Sequence, residues 1–167
     1  MGFGSEPKGD SAEVMRELRD LALGVDPAVL GLQPTKERAH VWGVLMETGY
    51  PEGIATLVAL ADGTTSLYLS GGGGILGGGG HAAVREAVEA FLQETEAHIA
   101  AFAPTASTPL PEIGRVRFYV RTFKGMLTGG ATEEDLGYNR HSLSPVFHSG
   151  HAVVSALRGA KGPRPSP

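Results

Sequence analysis

The chain contains no cysteine among its 167 residues. Disulfide bonds, thiolate nucleophiles and cysteine-ligated zinc are therefore excluded. The absence of cysteine suits a cytoplasmic protein, and we expect that location. No run of 18 or more apolar residues occurs, so the sequence predicts neither a membrane-spanning helix nor a membrane partner. The opening residues, MGFGSEPKGD, lack the apolar segment of a secretory signal, so we expect none.

Basic residues are also scarce, with 14 Lys and Arg against 18 Asp and Glu and a net charge of −4. A nucleic-acid-binding domain usually carries a basic excess, so no nucleic-acid partner is predicted. Aromatic residues make up only 7% of the chain. Trp42, the one tryptophan, lies in the most apolar segment and is predicted to be in the core.

The length and the 41% apolar content are typical of one domain. A domain of this size buries ~70% of the surface that its unfolded chain exposes. Residues 1–9 and 160–167 are polar and rich in glycine and proline, so we predict disordered tails there. The single domain is predicted to span residues 10–159.

Hydrophobic periodicity predicts a first helix over 11–23, with Asp10 as its N-cap and Glu13 as the capping-box partner. Its expected apolar stripe is Val14, Leu18, Leu21 and Leu23. Three strands then follow at 40–48, 54–60 and 64–70, joined by short turns. Asp62-Gly63 is a tight-hairpin signal, so these strands are predicted to form an antiparallel meander.

A 22-residue helix is predicted after Gly80, because apolar residues recur on one face as far as Phe102. The segment 115–122 alternates strictly, which predicts a half-exposed strand with Arg115, Arg117, Tyr119 and Arg121 facing outward. Met126-Leu127 is predicted to be a fifth, short strand, and a final helix to run from Ser144 to about Gly159. The predicted fold is a single α+β layered domain with a five-stranded, mostly antiparallel sheet in the order α-β-β-β-α-β-β-α.

The most unusual segment is the glycine tract, residues 71–80, in which two runs of four glycines flank Ile75 and Leu76. Glycine loses more backbone freedom on ordering than any other residue, so an ordered tract must be compensated by backbone shape or close packing. The structural interpretation is that the glycines let the long helix pack tightly across the sheet, or let the strand bend.

Two functional interpretations of the tract stay open. Bare backbone N–H groups before a helix can bind an anion such as a nucleotide phosphate. The candidate residues for that role are Gly72, Gly73, Gly74, Gly77, Gly78, Gly79, Gly80 and His81. No Walker sequence follows the tract and no dinucleotide-binding unit surrounds it, so we predict no cofactor. Alternatively, Ile75 and Leu76 could dock a protein partner.

His148 and His151 are three residues apart on the last predicted helix, so both could face one way. Two imidazoles at this spacing are half of a metal site, and His81 or His141 would be the residue to complete it. No metalloenzyme motif accompanies them, and a hydrogen-bonded histidine beside Gly150 at a helix contact is the simpler interpretation. The outward arginines, Arg115, Arg117 and Arg121, are candidates for receiving a carboxylate or phosphate group or a partner. No nucleophile motif is present, so no catalytic residue is assigned.

The segments DGTTSLYLSGGGGILGGGGHAAVREAVEAFL and LSPVFHSGHAVVSALR resemble a family of small uncharacterised bacterial α+β proteins with a strand–polyglycine–helix motif. The resemblance covers roughly residues 55–158 and implies no known activity. At the level of fold, the order of elements is similar to roadblock, longin and profilin-type modules, which implies a dimerising platform or scaffold. Three strands before the central helix, and the glycine tract, depart from the roadblock pattern.

Three functions are compatible with these patterns. The favoured hypothesis is a non-catalytic cytoplasmic interaction or regulatory module that forms a homodimer or binds another protein. The second is a protein that binds a small anion or a nucleotide phosphate through Gly71–His81. The third is a metalloenzyme or hydrolase that uses His148 and His151.

Overall fold

The computed structural model describes residues 8–71 and 75–160, with side chains described for 12–71 and 77–160. The helices are α1 (Lys8–Gly24), α2 (Ala82–Ala97), α3 (Glu133–Gly137) and α4 (Ser144–Ala160). The strands are β1 (Val41–Tyr50), β2 (Gly53–Leu60), β3 (Thr65–Leu69), β4 (Ile75–Gly77), β5 (Ala103–Pro104), β6 (Arg115–Thr122) and β7 (Gly125–Thr132).

All the described strands pair antiparallel in one sheet, in the order β4-β3-β2-β1-β6-β7-β5. The predicted α+β class and the β1–β2–β3 meander are confirmed. The predicted count of five strands is too low, because β4 and β5 add short strands at the two edges of the sheet. The fifth predicted strand is also longer than expected, since β7 has eight residues.

Both faces of the sheet are covered. One face packs on α2 and α4, where Val44, Leu57, Phe118, Phe91 and Val153 belong to a single buried cluster. The other face packs on α1 and the segment after it, in a second cluster. The buried members of this cluster are Met15, Ala22, Trp42, Leu45, Val58, Leu60, Tyr68 and Tyr119. The prediction that Trp42 is a core residue is confirmed, since it is fully buried.

The predicted contact face of α1 is right for Leu18 and Leu23, which pack against the second cluster, and wrong for its other two residues. Val14 and Leu21 are 39% and 68% exposed, whereas Met15 and Arg19 are buried against the sheet. The helix is turned in this way because the Arg19 guanidinium pairs with the buried Glu47 carboxylate of β1, at 2.7 Å between Nε and Oε2. The predicted N-cap at Asp10 is also wrong, because the helix begins at Lys8.

The prediction that β6 is half-exposed is wrong as well. Tyr119 is fully buried, and Arg117 and Arg121 are partly buried, because α1 and the loop before β6 cover this side. The Tyr119 hydroxyl donates a hydrogen bond to the Pro109 carbonyl of that loop. Arg115 remains exposed.

The predicted 22-residue helix is shorter than expected. α2 ends at Ala97, and a 3-10 turn over Ile99–Ala101 follows it. The backbone N–H of His98 is shared between the carbonyls of Glu94 and Thr95, which is the tightening common at a helix end. Phe102 still reaches the core and packs edge-to-face on Phe118, with ring centres 6.1 Å apart.

Candidate functional site

A cavity of about 510 Å³ lies between the sheet and α4, and we call it the sheet–α4 cavity. Its volume is within the range of ligand-binding pockets. It is lined by Met46, Thr48, Tyr50, Glu52, Gly53, Ile54, Ala55, Leu57, Leu67, Leu69, Gly71, His151, Val154 and Arg158.

The register in which β1, β2 and β3 pair determines which side chains form the floor of the cavity. Met46 pairs with Leu57, and Leu57 pairs with Leu67, so three apolar side chains form one row on the same face. The next row runs from Thr48 through Ala55 to Leu69. Because side chains alternate between faces along a strand, the two rows lie side by side beneath α4. The small Ala55 side chain leaves space in the second row.

Two glycines continue the floor beyond Tyr50. Gly53 pairs with Tyr50 and has a φ of +147°, a conformation that other residues rarely adopt. A Cβ atom on Gly71 would lie 2.5 Å from the Glu52 carbonyl oxygen, so this position is also closed to a side chain. The floor therefore changes from apolar side chains to bare main chain at this end.

The opposite wall is one stripe of α4, made by His151, Val154 and Arg158. Residues three and four apart lie on the same side of a helix, which brings these three together. α4 can approach the sheet closely because Gly150 has no side chain. A Cβ atom at Gly150 would lie 2.7 Å from the Met46 sulfur. The prediction that Gly150 allows close helix packing is confirmed.

His151 is the polar group most isolated from solvent in this wall. Its Nε2 atom is buried and has no hydrogen-bond partner among the described residues. Its ring packs edge-to-face on Phe147, with ring centres 4.5 Å apart. Burial lowers the pKa of His151, an effect that the nearby Glu133 opposes and that His148 and Arg158 reinforce. The imidazole is therefore neutral at pH 7 and can donate or accept one hydrogen bond at each nitrogen.

Charged and polar groups surround the opening. Arg158 and Glu52 are exposed there, and Tyr50 is partly buried. The Tyr50 hydroxyl donates to Glu133 Oε2 at 3.3 Å. Burial, followed by the Glu133 charge, raises the pKa of Tyr50, so the phenol stays protonated and able to donate. The cavity therefore combines an apolar floor with a polar end formed by side chains of β1 and α4.

The described part of the glycine tract forms a packed seam. A Cβ atom at Gly79 would lie 2.1 Å from the Gly63 carbonyl oxygen, and one at Gly78 would lie 2.9 Å from the Leu157 side chain. Gly77 and Gly80 have more room: a Cβ at Gly77 would meet its nearest atom at 3.8 Å, and one at Gly80 would meet nothing within 4 Å. Gly78 and Gly79 therefore fit the structural interpretation, in which glycine allows close approach.

The other predicted anion-binding residues are either not described or exposed. Gly72, Gly73 and Gly74 lie outside the described residues. His81 is exposed and is the N-cap residue of α2, without a side-chain capping bond. Ile75 and Leu76, the predicted docking pair, form the backbone of β4, which pairs with Tyr68 and Leu67 of β3. Sequence patterns missed this strand because glycine flanks it on both sides.

The three arginines predicted to face a partner have different surroundings. Arg121 donates to the carbonyls of Ala22 and Val25 at 2.8 and 2.9 Å and lies over the Trp42 ring. It therefore joins β6 to the end of α1. Arg115 and Arg117 line a separate cavity beside the loop that precedes β6.

His148 and His151 are not brought together with a third metal ligand. His148 Nε2 lies 2.9 Å from Asn139 Oδ1, and His141 Nδ1 accepts a hydrogen bond from the Leu143 N–H. Within the described ranges, no group of three or more His, Asp or Glu side chains is arranged to hold a metal ion. Neither His81 nor His141 therefore provides the third ligand that the metal hypothesis requires.

The sequence did not predict a functional role for three residues that line the cavity, Thr48, Tyr50 and Arg158. The available signal was the adjacent polar pair Glu47 and Thr48, which follows the apolar residues 41–46 in a strand buried on both faces. Glycine in the turn Gly49–Gly53 indicated only a turn, because its role in shaping a cavity depends on the pairing of β2 with β1.

No protein-family model, curated protein or solved structure matches this chain. The resemblance to the strand–polyglycine–helix family and the similarity to roadblock-type folds therefore stay predictions. Among the described helices, none has the length and apolarity needed to cross a bilayer.

Proposed function

We propose that this protein is a non-catalytic, cytoplasmic binding module whose sheet–α4 cavity takes a small amphipathic carboxylate. The observation that carries the proposal is the cavity itself. It has an apolar floor of ligand-sized volume and one buried imidazole nitrogen, His151 Nε2, without a partner among the described residues. Pockets of this composition bind the ligand body by apolar burial and its head by a few polar groups.

The floor favours a hydrocarbon body on the ligand. Met46, Leu57 and Leu67 are buried already, and they keep an apolar face toward the cavity. Burial of ligand hydrocarbon against such a floor contributes ~25 cal/mol per Å².

The polar end favours a head group that accepts hydrogen bonds. Neutral His151 can donate, and Arg158 adds a positive charge at the opening, whereas the one Tyr50 proton is already donated to Glu133. Glu52 at the same opening and Glu133, which is bonded to Tyr50, are both acidic and disfavour a head group with several negative charges. A single carboxylate suits this set better than a nucleotide triphosphate does.

The proposed ligand site is therefore the cavity that Gly71 borders, and not the glycine tract itself. Gly78 and Gly79 are closely packed on their own chain, which argues against a phosphate cradle at that part of the tract. Glycine still allows close approach in this proposal, because at Gly53 and Gly71 the main chain borders the cavity without a side chain.

The experiment uses sodium decanoate as the probe, below its micellar concentration, with the full chain in isothermal titration calorimetry and thermal unfolding. At 100 times its Kd the ligand should stabilise the fold by ~2.7 kcal/mol, which raises the melting temperature by ~5–11 °C. Ala55→Phe should fill the cavity and abolish binding. Arg158→Gln should weaken it several-fold, while Arg16→Gln, on an exposed α1 residue, should leave it unchanged.

Failure of decanoate to bind would overturn the proposed class of ligand. Equal binding by the parent and by a folded Ala55→Phe variant would place the ligand elsewhere and overturn the assignment to this cavity.

A second candidate function is self-association, favoured by the surface on the α1 side of the sheet. An apolar groove there is lined by Leu18, Leu21 and Tyr68, among others, and Leu21 and Val29 are 68% and 78% exposed. A groove and protruding apolar groups on one surface are self-complementary, as an isologous dimer requires. Leu21→Glu should convert a dimer to a monomer in sedimentation at micromolar concentrations. A monomeric parent at every concentration would overturn this candidate.

A further inference from the structure

A second cavity, of about 400 Å³, lies between β6 and the loop that precedes it, and we call it the loop–β6 cavity. Its lining includes Pro109, Pro111, Glu112, Arg115, Arg117 and Gly130. It is separate from the sheet–α4 cavity, with which it shares no lining residue. The proposed function makes no use of it.

Arg115 and Arg117 are two residues apart on β6, so their side chains leave the same face of the strand. Two guanidinium groups on one face of a strand, both lining one cavity, concentrate positive charge there. Arg115 is exposed, whereas Arg117 is partly buried and its Nε is shielded from solvent.

Arg117 lacks the carboxylate that its position in the sheet would suggest. Its cross-strand neighbour on β1 is Glu47, which is fully buried. Glu47 already accepts two hydrogen bonds from Arg19, at 2.7 and 3.0 Å, and one from Thr56 at 2.8 Å. Among the described residues, the Arg117 Nε has no hydrogen-bond partner and Arg117 makes no ion pair within 4 Å.

A buried guanidinium nitrogen without a partner is costly, so an acceptor supplied from outside the chain would be stabilising. The guanidinium group presents its donors in a planar fork that matches the oxygens of a carboxylate or a phosphate. Gly130, opposite Arg117 on β7, contributes no side chain to the cavity. A Cβ atom there would lie 2.4 Å from the Val116 carbonyl oxygen.

The remaining lining groups define the size and charge of the ligand. Pro109 and Pro111 have no N–H, so the arginines are the principal donors in this set. Glu112 contributes one negative charge against two positive charges, which leaves a net charge that suits a small anion. We propose that the loop–β6 cavity is a binding site for a small-molecule oxyanion, held between Arg115 and Arg117.

The test measures binding of sodium phosphate and sodium succinate to the full chain, at an ionic strength held constant with sodium chloride. Arg115→Gln and Arg117→Lys should each raise the Kd about 10-fold or more, the loss expected for one charge-assisted hydrogen bond. Arg16→Gln, an exposed arginine on α1, should leave the Kd unchanged. Decanoate binding in the sheet–α4 cavity should be unaffected by the β6 variants, which keeps the two sites distinguishable.

Binding of phosphate alone would assign a phosphate ester as the ligand class, and binding of succinate alone a carboxylic acid. Binding of neither anion beyond the chloride control would overturn the proposal. If Arg117→Lys fails to fold, the exposed Arg115 decides the matter: an Arg115→Gln variant with the parent Kd would also overturn it.

Discussion

The Arg19 guanidinium of α1 and the Glu47 carboxylate of β1 form a two-point ion pair, with Nε–Oε2 at 2.7 Å and Nη2–Oε1 at 3.0 Å. Arg19 is 7% exposed and Glu47 is fully buried. The same guanidinium donates to the Thr108 carbonyl at 2.7 Å. One side chain therefore joins the first helix, the central strand and the loop that precedes β6.

Arg19→Met should lower the free energy of unfolding by ~3–5 kcal/mol, because it leaves the Glu47 carboxylate buried without a cation. Urea denaturation would measure the loss. The exposed Arg16 on the same helix offers the matched control, and Arg16→Met should change stability by less than ~0.5 kcal/mol. The double variant Arg19→Met, Glu47→Met should recover much of the loss. Equal stability of the Arg19 and Arg16 variants would contradict a structural role for the pair.

Arg121→Lys tests the contact between β6 and the end of α1. Lysine cannot reproduce the fork that reaches both the Ala22 and Val25 carbonyls while lying 4.4 Å from the Trp42 ring centre. We expect a loss of ~1–3 kcal/mol on unfolding and a change in tryptophan fluorescence. Arg115→Lys, on the same strand but exposed, should alter neither quantity. A fluorescence spectrum unchanged in Arg121→Lys would argue against the stacking.

Two adjacent glycines of the tract offer a matched pair of alanine substitutions. Gly79→Ala should destabilise by more than ~1 kcal/mol, because its Cβ would lie 2.1 Å from a backbone oxygen of Gly63. Gly80→Ala should be neutral or stabilise by up to ~1 kcal/mol, since nothing lies within 4 Å of its Cβ. Thermal unfolding of both variants is the measurement. Equal melting temperatures would show that the seam does not constrain Gly79.

His151 makes stability depend on pH. Burial lowers its pKa in the folded protein, so between that value and the ordinary histidine pKa of ~6.5 the unfolded chain binds more protons. The free energy of unfolding should therefore fall as pH decreases below about 6.5, by up to ~1.4 kcal/mol per pH unit from this residue. His151→Gln should remove this component from denaturation curves measured between pH 5.5 and 7.5.

His81→Gln, at an exposed position that is not among the groups acting on His151, is the control and should leave the contribution of His151 to the slope unchanged. Parallel stability–pH curves for the parent and His151→Gln would mean that the buried imidazole does not titrate differently in the two states.

The sequence predicted the elements whose patterns are local. The Asp62-Gly63 hairpin and the start of α4 at Ser144 are both present. The rotation of α1 was mispredicted because it depends on a partner 28 residues away, Glu47. Hydrophobic periodicity places the polar Arg19 on the outward face of the helix. It faces inward in the structure because it pairs with the buried Glu47 carboxylate.

The cavity could not be predicted, since it arises from pairing among three strands and from an opposing helix. In the sequence, Tyr50 and Gly53 belong to a turn and Gly71 begins the glycine tract, and the three become neighbours only through the register of β1, β2 and β3. Strict alternation in β6 predicted exposure for Tyr119, but alternation also occurs in a strand covered on both sides.

The long reach of the α1 contacts bears on how the chain folds as it is synthesised. Arg19 contacts Thr108 and Arg121 contacts Ala22, separations of 89 and 99 residues. At ribosomal rates the Arg121–Ala22 contact cannot form until roughly 5 to 20 s after Ala22 has been added. During that interval the apolar side of α1 has no completed sheet to pack against and stays exposed to solvent.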